Sequence, residues 1–139
     1  MRISRFVAPV LLLTLAACGG DGGTPSQPST PTVSSHNAGR DCLQCHGFSL
    51  AGTVYRDDGS AYPGAEVRLT TEPGGAGDVV LTLTADGAGS FYTDRAVSWG
   101  SGLYTDVRGA SGTLRTMVAP ITGGACNSCH SGADRIRAE

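Results

Sequence analysis

The stretch GTVYRDDGSAYPGAEVRLT, residues 52–70, decides the fold. Two segments in which apolar and polar side chains alternate stand on either side of a run rich in Asp, Gly and Pro. A repeat of two is the period of a strand with one buried face, and Asp-Gly and Pro-Gly are turn formers, so the stretch reads as strand, turn, strand. Working outward, the same alternation returns in VVLTLT (79–84), SFYT (90–93), LYTDVRG (103–109) and TLRTMVA (113–119), separated by EPGGAGD (72–78) and ADGAG (85–89). Short strands at this spacing predict an all-β sandwich of six or seven strands over residues 49–119. With 139 residues, 21 of them Gly, the chain supports one small, turn-rich core.

All ten basic residues are Arg, and the formal net charge is -2. That balance, without a basic run, gives no footprint for nucleic acid. The N-terminus carries Arg2 and Arg5, an apolar run from Phe6 to Ala17, and then Cys18. The run is shorter than the roughly 20 residues that span a bilayer as a helix, so residues 1–17 read as an export signal. LAAC (15–18) resembles the lipobox of bacterial lipoproteins, which implies a lipidated Cys18 as the first mature residue. Gly19 follows it, which favours the outer membrane, facing the periplasm or the cell surface. Residues 18–35 are almost all Gly, Pro, Ser and Thr after that Cys and read as a tether spanning roughly 20 to 25 Å.

RDCLQCHG (40–47) and GACNSCHSG (124–132) each hold Cys-x-x-Cys-His. The two copies define a first segment (36–48) and a second (120–139) on either side of the strands. The pattern reads as c-type haem attachment, with Cys42, Cys45, Cys126 and Cys129 as thioether sites and His46 and His130 as proximal iron ligands. Two thiols at this spacing reach two vinyl groups on one porphyrin edge, and the next imidazole falls under the iron. A Cys₄ zinc site is the strongest rival, but zinc ribbons commonly separate their knuckles by 15 to 20 residues, and export disfavours thiols held for zinc. Redox-active disulfides would need a thioredoxin-like frame, which the sequence lacks.

His36 is the one histidine left after the motifs, and HNAGRDCLQCH (36–46) resembles multihaem c-type cytochromes in which a His just before the motif is a distal ligand. The resemblance implies that role for His36, toward its own haem, the other haem or one in another copy. Met117 is the candidate for the remaining axial position, and the alternation equally suits it as a strand residue facing the sandwich. Arg40, Arg135 and Arg137 are candidates for pairing with haem propionates.

Gly52, Gly59, Pro63, Gly64, Ala65, Val67, Asp86, Gly89, Phe91, Gly102 and Tyr104 resemble the carboxypeptidase-regulatory-like and transthyretin-like β-sandwich repeats. That likeness implies a mainly β, Ig/transthyretin-like sandwich and no activity of its own. Trp99 and the tyrosines fit as core or edge aromatics. The expectation is a membrane-anchored carrier of single electrons with two covalent haem c groups, redox protein partners and no substrate chemistry. The ligand count gives a second expectation, a five-coordinate haem acting as a small-ligand sensor or peroxidase-like enzyme, and the resemblance to multihaem cytochromes implies a third, homo-oligomers or filaments linked through His36. An even number of strands between the motifs would bring both haems to one pole, and an odd number would separate them.

Overall fold

The computed structural model describes residues 35–139; the expected signal, Cys18 and all but the last residue of the tether lie outside the described residues. The chain is mainly β, in two sheets. One carries β1 (Leu50–Tyr55), β4 (Ser90–Thr93) and β7 (Ile136–Arg137) in the order β4-β1-β7. The other carries β2 (Glu66–Thr70), β3 (Val79–Thr84), β5 (Tyr104–Arg108) and β6 (Leu114–Thr116) in the order β3-β2-β5-β6. Leu50, Val54 and Phe91 from the first sheet meet Val67, Leu69, Leu83 and Val107 from the second in one apolar cluster. Each of these side chains stabilises the fold by roughly 1.5 to 3 kcal/mol through burial. This is the layering of a sandwich. The expected alternation is realised in β2, where Val67 and Leu69 are buried while Glu66 and Arg68 are not.

The first six strands match the six alternating runs, and all their pairings are antiparallel. The seventh departs from expectation. It falls within the second motif segment, and it pairs with β1 in parallel, Val54 opposite Ile136 and Tyr55 opposite Arg137. Upstream, Ala51 forms a parallel bridge with Ala125 and donates its amide to Gly124 at 2.9 Å. The chain end continues the seam, as Ala138 donates its amide to the Tyr55 carbonyl at 3.0 Å. The second motif segment therefore covers the edge of β1 that β4 leaves free, and a covered edge cannot template pairing with another chain.

Two glycines permit that seam. A Cβ at Gly124 would lie 2.0 Å from the Ser49 carbonyl oxygen, and one at Gly52 would lie 2.5 Å from the Phe91 ring and 2.9 Å from the Cys126 Cβ. Only hydrogen fits at either position. Trp99 packs, partly buried, against the core cluster, and Tyr55 and Tyr62 lie within the core, as expected for core and edge aromatics. Among the described residues no helix is long and apolar enough to cross a membrane.

Candidate functional site

The two Cys-x-x-Cys-His copies form turns of different helical type closed by the same hydrogen bond. In the first, Cys42–Gln44 form a 3-10 turn whose start is capped by Asp41, its carboxylate accepting the Leu43 amide at 3.1 Å. In the second, Cys126–Cys129 form a single α-turn, α1. In both, the histidine amide donates to the carbonyl of the first cysteine, His46 to Cys42 at 3.0 Å and His130 to Cys126 at 2.9 Å. One closed helical turn places residues i, i+3 and i+4 on one side of the backbone. The two cysteine positions and the imidazole of each motif are those three residues.

Six strands lie between the motifs, and both motifs dock on β1. Asn127, in a variable position of the second motif, ties them together. Its side-chain oxygen accepts the buried Thr53 amide at 3.0 Å, and its nitrogen donates to the Arg40 carbonyl at 2.8 Å and to Thr53 Oγ1 at 3.1 Å. The Gly39 amide, just upstream of the first motif, donates to the same Thr53 hydroxyl at 2.9 Å. Where α1 turns away from β1, the amide of Asn127 substitutes for the missing backbone acceptor in the ladder. Asn127 is buried, and nothing in the sequence reading had singled it out.

His36 and His46 lie edge to face, with ring centroids 5.6 Å apart. His46 stacks on Phe48 at 5.0 Å, and Phe48 stacks on Tyr92 of β4 at 4.7 Å. The first motif thus has an imidazole pair resting on an aromatic support. His130 has a different setting. Its Nδ1 lies 2.8 Å from the Asp134 carbonyl. A carbonyl can only accept, so Nδ1 is the donor, which leaves Nε2 as the ring nitrogen available to a metal.

His130 and Cys126 line a cavity of about 550 Å³ between β5–β6 and the segment 126–137, together with Met117, Arg115, Arg135 and Arg137. The register explains the membership. Arg115 stands opposite Val107, and Met117 donates its amide to Thr105 at 2.9 Å, so both lie on the face of Val107 and Thr105, although the Arg115 guanidinium is exposed and pairs with Asp57 at 2.9 Å. Arg115 was not among the candidates, although the alternation Arg115, Thr116, Met117 carries the signal. The Arg135 guanidinium lies 4.6 Å over the Tyr55 ring, and Arg137 donates to the Asp57 carbonyl at 2.7 Å. Arg40 is exposed, and its carbonyl serves Asn127.

The sulfurs separate into different states. Cys42, Cys126 and Cys129 are free thiols, while Cys45 is disulfide-bonded. Neither motif has closed a disulfide on itself. Burial pushes the Cys126 thiol up from 9.0 to about 12, with smaller upward contributions from Cys129, Cys42 and Asp41. Burial, then Asp41, raises Cys42 as well. Redox-active Cys-x-x-Cys pairs lower a thiol pKa to obtain thiolate at neutral pH, so these motifs have the opposite electrostatics. Among the described residues no group of three or more His, Cys, Asp or Glu side chains converges as a metal-ion site.

The donor set fits a haem at each motif in part. Around the second copy, the free thiols, the oriented imidazole and the adjoining cavity all suit it. The first has a free Cys42 and the His36–His46 pair, but Cys45 must be reduced before its sulfur can form a thioether. Comparison with family models, characterised proteins and solved structures gives no match.

Proposed function

We propose that this chain is an exported, lipid-anchored c-type cytochrome with two covalent haems, and that it passes single electrons between protein partners in the periplasm or at the cell surface. The observation that carries the reading is the doubled turn, in which each histidine is hydrogen-bonded to the first cysteine of its own motif. Covalent haem iron would supply a one-electron couple between its ferrous and ferric states. The chain's own residues do the rest. Cys42 and Cys45, and Cys126 and Cys129, would anchor the porphyrin edges; His46 and His130 would ligate the irons; His36, which stands beside His46, would be the second imidazole of the first centre.

The sandwich is the rigid frame. It supports both motifs from one strand through Thr53 and Asn127, so the residues that would hold the two groups are fixed to the same strand. The transthyretin-like likeness of the frame adds no activity to this reading. Cys18, as the lipidated residue, fixes the frame to the outer membrane, and the tether sets its distance.

A second reading, in which His36 serves a haem of another copy and links subunits, draws on the exposure of His36. It predicts that His36→Ala lowers the oligomer size in light scattering; the 5.6 Å approach to His46 favours service within one chain.

The decisive experiment is intact mass and a pyridine haemochrome assay on protein exported in cells with haem-attachment machinery. Two porphyrins and an acylated N-terminus are expected. Replacing Cys42 and Cys45 together by Ala, or Cys126 and Cys129 together, removes one porphyrin each. A colourless wild-type protein overturns the proposal.

A further inference from the structure

The two centres are not alike in their surroundings. Four axial positions face three histidines, and the ring of His36 already lies against His46. No fourth imidazole exists for the iron held by His130. The cavity beside His130 does contain a soft sulfur, because Met117 lines it. Met117 arrives there through β6: its amide is bonded to Thr105, and that pairing turns its side chain to the same face as Thr105 and Val107. The competing explanation, that Met117 is a packing residue, meets an obstacle. Met117 is neither among the buried core residues nor among the partly buried ones packed against them. An apolar side chain that faces inward without joining the core has a space to fill.

A second feature of the same cavity also points to an occupant. Thr105 contributes to its wall, and the buried Thr105 Oγ1 has no hydrogen-bond partner. A stranded hydroxyl of this kind is uncommon in a finished interior, and a ligand or ordered water is the ordinary remedy. The volume of about 550 Å³ falls within the range of roughly 300 to 1,000 Å³ typical of ligand and cofactor pockets.

We infer that Met117 supplies the sixth bond to the iron held by His130, so that the cavity is a His/Met centre beside a His36/His46 centre. The inference rests on the two-haem reading above. A thioether ligand raises the reduction potential relative to a second imidazole. The protein therefore has two separate one-electron steps, the higher one belonging to the second motif.

The test uses the full exported protein with both haems counted by mass. Wild-type ferric protein should show the far-red sulfur-to-iron charge-transfer band, and a redox titration should resolve two steps. In Met117→Leu, which preserves apolar bulk, the band is lost, the higher step moves and the reduced protein gains carbon monoxide binding. In His36→Ala the band survives and the lower step changes. With two haems present, a wild-type protein lacking the band overturns the inference without any variant. So does a Met117→Leu protein with unchanged spectrum and potentials. Protein with no haem instead overturns the proposed function itself, so the two failures are distinguishable.

Discussion

Replacing Asn127 by Ala removes three hydrogen bonds at once and leaves the Thr53 amide buried without an acceptor. Thr53 is 1% exposed, so water cannot replace the lost partner without opening the seam between α1 and β1. A stranded buried amide costs about 1 to 3 kcal/mol, and the lost bond to the Arg40 carbonyl adds about 1 kcal/mol. The expected destabilisation is thus about 2 to 4 kcal/mol. For a domain near 100 residues each kcal/mol lowers the melting temperature by roughly 4 to 8 °C, which places the drop at about 8 to 32 °C. Circular dichroism melting of the haem-free chain measures it without interference from the cofactor. Asn127→Asp supplies the internal control. It retains an acceptor for the Thr53 amide but loses both donated bonds and sets a carboxylate against the Arg40 carbonyl, so it should also destabilise while leaving the Thr53 amide protected from hydrogen exchange. A melting temperature for Asn127→Ala within about 3 °C of wild type would refute the claim that Asn127 completes the edge of β1.

Gly52→Ala places a methyl group 2.5 Å from the Phe91 ring and 2.9 Å from the Cys126 Cβ. Overpacking of this kind costs about 1 to 3 kcal/mol in denaturant unfolding, and the variant should also lower haem occupancy at the second motif in intact mass. The thiols supply the remaining prediction. In the haem-free chain at pH 8, iodoacetamide should modify the exposed Cys129 well before Cys126, as peptide mapping would reveal. The folded-state pKa of Cys126 is raised, so its contribution to stability is fully present below the unfolded value of 9.0 and is lost as pH rises toward about 12. Equal labelling of the two thiols would contradict the burial of Cys126.

Much of this architecture is legible in the sequence because alternation and turn chemistry are local signals. Gly59, Gly64 and Gly89 all adopt positive φ, at 85°, 78° and 75°, in the turns where Asp-Gly, Pro-Gly and Gly-Ala-Gly foretell them. Six strands lie between the motifs, and both motifs lie against β1. β7 has no such signal. Two residues, Ile136 and Arg137, cannot display a period, and their pairing with β1 is imposed by the distant seam from Gly124 to Ala138. Asn127 was hidden for a related reason. A small polar residue between two cysteines looks like a spacer until the chain 74 residues upstream arrives with an orphan amide. Arg115 and Met117 share a face that the alternation does reveal, but only the register with Val107 and Thr105 shows that this face opens onto a cavity. The state of Cys45 has no local sequence signal, since a cysteine's partner is set by the folded chain.

The second motif is an excursion from an otherwise continuous seam. Its flanks meet β1 at Ala51 and Val54, three residues apart and so separated by about 10 Å along the strand. The intervening chain, residues 126–135, is several times longer than that gap requires, and within it Asn127 hydrogen-bonds to Thr53 while the Arg135 guanidinium lies over the Tyr55 ring. Such a loop is a cassette. Its flanking pairs seal the sheet on either side of it, so changes among the loop's exposed residues leave the β1 ladder in place.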